Sequence, residues 1–301
     1  MAGRKDLEAT YSTIDFIFRR SIGETGDYSG ALFDGDFSLS LADAQLHKHQ
    51  FVIESLRLGA EGRFIDLGCG WGGLLRHAES QGLHGVGLTL SERQARSCRH
   101  HGLEAHVEDC RSISPDQFGT FDAASSLGAF EHFCSPEDAR AGRQEELYAE
   151  FFRSVASLLP PGGRFFLQTM VFGPNVPPGT EFSLDAPRDS DEYALALMAW
   201  GNPGSWLPSS IEQVLESAAP HFDTVGTCNG RVDYIETLKR WSNRFRRFDL
   251  PKYLLYGLML PRLAMRGTLR LYLDALRLDP NGVCFERLLM DHHRIVFEKP
   301  A

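Results

Sequence analysis

The sequence predicts an α/β chain: a doubly wound, mainly parallel sheet with N-terminal helices and a helical cover inserted between its late strands. Three observations predict it. Short apolar runs alternate with helical stretches from about residue 63 to residue 171, the rhythm of βαβ units. A glycine-rich turn, Gly68-Cys69-Gly70-Trp71-Gly72-Gly73, follows the first of those runs. After Phe172 the alternation gives way to Pro/Gly loops and two arginine-rich stretches before a last strand.

Each element has a local reason. Ser40, with Asp43 three residues on, caps a helix over Leu41–Leu56. Phe64–Leu67 is a first apolar strand, followed by a helix over Leu74–Gln81. Gly85–Leu88 is a second strand and Glu92–His101 its helix; Glu104–Val107 is a third strand. Phe121–Ser126 is a fourth, with a helix over Glu145–Leu159. Pro160-Pro161-Gly162-Gly163 turns the chain into a fifth strand, Arg164–Val171. Helices near Ser190–Trp200 and over Ser210–Ala218 precede a strand, Phe222–Cys228. Arginine-rich helices over Tyr234–Phe248 and Arg262–Arg277 lead to the closing strand, His293–Glu298.

Charge and composition narrow the function. Lys+Arg number 31 against 40 Asp+Glu, and the net −9 argues against general nucleic-acid binding, which rests on neutralising phosphates. Cys69, Cys98, Cys110, Cys134, Cys228 and Cys284 are scattered without CxxC or metal-like spacing, so reduced thiols and no metal are expected. The longest strongly apolar run, Tyr253–Leu260, falls far short of the roughly 20 residues of a membrane span. No secretory signal stands at the start, and a soluble, cytoplasmic protein is expected.

Gly68, Gly70 and Gly73 satisfy G-x-G-x-x-G, a pattern that NAD sites share and that a plain turn can also show. Two details favour S-adenosylmethionine (SAM). Asp66 stands two residues before the first glycine, where a carboxylate suits a cationic amino-acid group better than a pyrophosphate. The end of strand two, Gly87-Leu88-Thr89-Leu90-Ser91, lacks the acid that grips an NAD ribose.

The run Phe64-Ile65-Asp66-Leu67-Gly68-Cys69-Gly70-Trp71-Gly72-Gly73, then Gly87–Gln94, resembles class I SAM-dependent methyltransferases of the cyclopropane-fatty-acyl-phospholipid synthase and mycolic acid cyclopropane synthase type, with a Rossmann-like sheet. The likeness takes in Asp27–Phe33, Gly128–His132, Leu159–Gly163, Pro203–Pro208 and Tyr234–Trp241, in the expected order. It implies one methyltransferase domain over 1–301: an N-terminal helical cap (1–60), a SAM-binding core (61–172), a helical substrate cover (173–210 and 234–290) and a last strand (293–299).

The resemblance also implies cofactor contacts at Tyr28, Ser29, Asp66, Gly68, Cys69, Gly70, Gly72, Thr89, Leu90, Ser91, Gln94, Asp109 and Cys110. Thr89 and Gln94 would hold ribose hydroxyls, and Asp109 would accept the adenine amino proton, although a solvated loop carboxylate would look the same.

Methyl transfer from a sulfonium is an in-line displacement that needs alignment and charge stabilisation, not a triad or a metal. Glu131 and His132, just past strand four, lie where parallel sheets place their sites. A carboxylate there can stabilise a carbocation or ammonium, or accept a proton; a helix-start Glu and a packed His are the plainer alternatives. Tyr234 matches an active-site tyrosine of the family, although a buried tyrosine in the cover would look the same.

Cyclopropane synthases hold a bicarbonate that removes a proton as the ring closes. This chain has Gly30 where they carry Cys and Gln168 where they carry His, with Met170 in place of a usual Ile. Simple methyl transfer to carbon or nitrogen is therefore expected over ring closure; a SAM-binding protein without catalysis is the alternative of another class.

Residues 239–277 carry ten Lys/Arg (Lys239, Arg240, Arg244, Arg246, Arg247, Lys252, Arg262, Arg266, Arg270, Arg277) against Asp249 and Asp274, a local +8. Leu238, Trp241, Phe245 and Phe248 form one apolar stripe, and Met265, Leu269, Tyr272 and Leu276 another. Two cover helices with solvated arginine faces explain the pattern. So does an anionic, hydrophobic acceptor: a phospholipid surface, a carrier-bound acyl chain or a prenyl diphosphate.

Overall fold

The computed structural model describes residues 22–23, 25–111, 113–177, 182–250, 253–254, 257 and 268–301. Helix α1 (Leu41–Leu56) starts where the sequence requires: Ser40 Oγ accepts from the Asp43 N–H at 3.1 Å and donates to its carboxylate at 2.6 Å. The alternating region folds as β1 (Arg63–Leu67), α2 (Gly73–Glu79), β2 (His84–Thr89), α3 (Glu92–His100), β3 (Glu104–Val107), α4 (Pro115–Phe118) and β4 (Ala123–Leu127). A 3₁₀ turn (Phe130–His132), α5 (Pro136–Arg140), α6 (Gln144–Leu158) and β5 (Arg164–Phe172) follow. The later part is α7 (Asp191–Gly201), α8 (Ile211–Ala218), β6 (Asp223–Asn229), α9 (Arg231–Arg246), α10 (Leu269–Leu278), α11 (Pro280–Glu286) and β7 (Met290–Glu298).

The seven strands run in the order β3-β2-β1-β4-β5-β7-β6. The pairs through β5 are parallel; β7 lies antiparallel to both β5 and β6. The order reverses between β1 and β4, and the crevice beyond their carboxyl ends is where such sheets bind ligands. The glycine turn leaves β1 there, and Glu131 follows β4.

The abundance of phenylalanine has a packing explanation. Phe152, Phe165, Phe222 and Phe297 meet at ring distances of 5.5–6.4 Å between α6, β5 and β7. Each is fully buried or nearly so, and each contributes about 1.5–3 kcal/mol of hydrophobic stabilisation.

The sequence omits four short elements: α4, the 3₁₀ turn, α5 and α11, all too short for a readable periodicity. The closing strand begins at Met290, three residues earlier than its pattern predicts, because Leu289 and Met290 turn in to the core. The second arginine-rich helix is also corrected. Among the described residues of α10 its apolar stripe is not buried: Tyr272 and Leu276 are exposed and Asp274 is the buried side chain, accepting from Tyr193 Oη at 2.7 Å. Lys252, Arg262, Met265 and Arg266 lie outside the described residues.

Candidate functional site

The site is assembled around the stretch Asp27–Asp34, which carries little regular structure and is pinned from two sides. From α1, Gln45 Nε2 donates to the Ser29 carbonyl (3.0 Å), and Lys48 Nζ donates to Ser29 Oγ (2.8 Å) and lies 3.5 Å from Asp27 Oδ1. His49 Nε2 stands 2.9 Å from the same oxygen. Burial alone would raise the Asp27 pKa, but Lys48 and His49 outweigh it and hold this carboxyl well below the usual carboxylate range.

From the other side, Asp233 on α9 accepts from the Phe33 and Asp34 N–H groups (3.1 and 3.2 Å). It also pairs with buried Arg294 of β7 at 2.9 Å. Arg294 reaches on to the Ala31 carbonyl, and Ala31 N–H donates to Thr237 Oγ1. Sequence reasoning missed Gln45, Lys48, His49, Asp233 and Arg294; for the first four, polar residues on a buried helix face were the available signal.

The glycine turn has the geometry its residues demand. Gly68 and Gly72 take φ values of +98° and +75°, and a Cβ on Gly68 would lie 2.5 Å from that of Ala129. At Gly70, φ +54°, nothing lies within 4 Å of where a side chain would begin, so the turn opens onto free space. Asp66 closes the turn from below, buried, accepting from Ser125 Oγ at 2.8 Å; burial, opposed by that bond, pushes its carboxyl up to about 7. Cys69 contributes backbone, because its thiol turns inward onto Gly87. Cys110 likewise packs in the core, its thiol pushed up to about 12 by burial.

At the end of β2, Thr89 Oγ1 donates to Gln94 Oε1 at 2.7 Å, and Ser91 Oγ caps α3 through the Gln94 N–H. Leu90 is exposed beside them. Asp109 is held by the Arg111 guanidinium, with Nε 3.0 Å from Oδ1. Tyr28 is 57% exposed and stacks on Trp241 at 5.4 Å and 10°, a flat aromatic wall beside the turn. These residues fit a nucleoside bearing an amino-acid tail: open space at Gly70, a buried carboxylate for a cation, paired hydroxyl partners, and flat apolar faces.

Glu131 is 2% exposed. Its Oε1 accepts from the Met170 N–H at 3.0 Å while Oε2 has no hydrogen-bond partner. Burial, opposed by those backbone bonds, raises its carboxyl to about 7. Gln168 Nε2 donates to the Gly30 carbonyl at 3.2 Å, which leaves its Oε1 buried and unpartnered. Tyr234 is buried at the same place, its hydroxyl held far above the ordinary range first by burial and then by Tyr28 and Glu131. His132 turns away: it is exposed, and its Nδ1 meets Ser205 Oγ at 2.7 Å, which joins it to the cover rather than to this cluster.

A bicarbonate would need hydrogen-bond donors here. Glu131 and Gln168 offer unpartnered oxygens and Gly30 no side chain, which leaves the Tyr234 hydroxyl as the donor of this set and makes it a poor fit for that anion.

Comparison with known proteins identifies the family. The family model described as mycolic acid cyclopropane synthetase matches residues 2–249. Cyclopropane mycolic acid synthase 3 of Mycobacterium tuberculosis is 30% identical over 244 residues, covering 79% of this chain and 80% of its own. The structure of the cyclopropane synthase MmaA2 from Mycobacterium tuberculosis superposes with a TM-score of 0.74 at 25% identity, covering 98% of both chains. Mycolic acid cyclopropane synthase CmaA1, solved with SAH and CTAB, shares the fold at a TM-score of 0.74, 24% identity and 98% coverage of both chains. With the family model matched over residues 2–249 and the fold shared over nearly the whole chain, this chain belongs to the mycolic acid cyclopropane synthetase family and is a SAM-dependent methyltransferase.

Proposed function

We propose that this chain moves a methyl group from SAM to a carbon or nitrogen of a hydrophobic, anionic small molecule or lipid, and that the product leaves methylated rather than ring-closed. One observation carries the reading: Glu131 Oε2 and Gln168 Oε1 are buried acceptors without a partner, which suit a cation or an N–H better than an anionic base. The relatives' names speak of mycolic acids, and a hydrophobic acceptor is the part of that description adopted here.

When bound, SAM supplies an electrophilic methyl on a sulfonium. Asp66 would hold its ammonium group, with the Gly68–Gly72 backbone around the tail. Thr89 and Gln94 would exchange their mutual bond for ribose hydroxyls, and Leu90, Asp109 and Cys110 would flank the base. Tyr28 and Ser29 would close the site over it. Glu131, ionised, stabilises positive charge developing on the acceptor, which is worth most in a buried, water-poor site. Tyr234 shapes the acceptor pocket beside it.

A second reading, cyclopropane synthesis, is favoured by Glu131 and Tyr234 standing together. Purified protein, SAM and vesicles of an unsaturated phospholipid, incubated with added bicarbonate, separate the two. The expected result is no cyclopropane; a cyclopropane lipid would overturn the proposal.

A further inference from the structure

Gly30 does more than remove a cysteine. A Cβ there would lie 2.5 Å from Tyr234 Cδ2 and 3.2 Å from both Cε1 and Nε2 of His292. Glycine therefore allows two rings to close over this backbone. His292 comes from β7, directly opposite Met170 in the β5–β7 register, and opposed residues project on one face. The Met170 N–H is the group that holds Glu131. The imidazole is 2% exposed and lies flat on Tyr234, 4.8 Å between centroids at 11°.

Its two nitrogens have different surroundings. Nδ1 points toward the Gly230 backbone, 2.6 Å from where a Cβ on that residue would stand, and is buried without a hydrogen-bond partner. Nε2 faces Gly30, where Gln168 also reaches. Burial, with Arg294, His293 and Lys48 around it, keeps the ring neutral well below the ordinary histidine range. A neutral imidazole with a proton on Nδ1 presents a lone pair at Nε2.

We propose that His292 lines the methyl-acceptor pocket and that its Nε2 takes the proton leaving the acceptor, the part an external anion would otherwise play. The inference rests on the methyltransferase reading. The balance is simple. The acceptor's electron pair forms the new bond to the methyl as the carbon–sulfur pair stays on sulfur. The acceptor then carries the positive charge. Its N–H, or the C–H beside a cationic carbon, gives a proton to Nε2, leaving a neutral product and an imidazolium that loses the proton to water on product release.

Sinefungin tests this without knowledge of the acceptor, because it carries an amine where SAM carries its sulfonium methyl. Its affinity, relative to that of S-adenosylhomocysteine, is measured by calorimetry on the wild-type chain, on His292→Phe, which keeps the ring stack, and on His292→Asn, which removes Nε2 with less bulk. Thermal melting identifies which variants fold. The wild type is expected to prefer sinefungin by about tenfold, the scale of one charge-assisted hydrogen bond. Folded variants should prefer sinefungin several-fold less than the wild type does, retaining only what Glu131 supplies, while binding S-adenosylhomocysteine as the wild type does. A wild type with no preference, or a folded variant that keeps it in full, overturns the proposal. A wild type that binds neither compound contradicts the methyltransferase reading instead.

Discussion

Two buried carboxylates set the chemistry at the scale of single residues. Asp66 and Glu131 are both pushed to about 7, in each case chiefly by burial. For Asp66 a cationic ligand favours the ionised form, so binding at about pH 6 must displace a proton. SAM affinity should rise between about pH 6 and 7 for the wild type. Calorimetry on Asp66→Asn should find affinity lower by about tenfold and that rise flattened.

For Glu131 the sign on stability is the reverse of the usual carboxylate. The ordinary glutamate value is 4.5, and the folded carboxyl titrates at about 7. Between the two, the folded chain keeps a proton that the unfolded chain has lost. Its stabilising effect is full below the lower value and is lost as pH rises to the upper. Glu131→Gln should therefore melt higher than wild type at about pH 8, by the equivalent of about 3 kcal/mol, and alike at acid pH. The same variant should lose methyl transfer by at least about a hundredfold.

Elements were more legible than their contacts. The strand–helix alternation and the Ser40 cap could be read because each is a local pattern, and the observed bounds of α1 and β3 match the expected ones. Asp66, the glycine turn and Glu131 were legible for the same reason: a motif at the end of a strand. His292 was not. The closing strand was expected to start at His293, just past it, and only the fold sets this ring against Gly30 and Tyr234. The polar face of α1 escaped notice because Gln45, Lys48 and His49 acquire meaning only once Asp27–Ser29 lies on them.

That face makes its own prediction. Lys48→Met leaves Asp27 buried without its ammonium partner and should cost about 3–5 kcal/mol in thermal or denaturant unfolding. Adding Asp27→Asn should recover part of it, because the buried charge then left to His49 alone is gone. Unchanged stability in Lys48→Met would mean that α1 does not hold the Tyr28–Ser29 segment through this pair.

For the molecule as a whole, charge is the feature that composition hides. The chain's −9 contains a stretch of +8 in residues 239–277, leaving −17 elsewhere. Part of that positive charge is already engaged: Arg240 bonds Glu236 and the Phe37 carbonyl, and Arg270 and Lys239 pair with Asp274 and Glu286. Phe248 and Leu254 are exposed in the same region, so apolar and basic groups share one surface. Co-sedimentation with anionic but not neutral vesicles is the expected outcome; equal indifference to both would remove the membrane from the account. No described helix is long and apolar enough to cross one.

The central claim is that a methyl group arrives and stays intact. Incubation with SAM deuterated at its methyl, together with a lipid and metabolite extract, followed by mass spectrometry of the labelled product, tests it most directly. Intact transfer leaves all three deuterons on the product, with the released proton coming from the acceptor. Ring closure removes one deuteron from the added carbon. A hydrophobic product carrying three is the predicted result; a product carrying two would contradict the account.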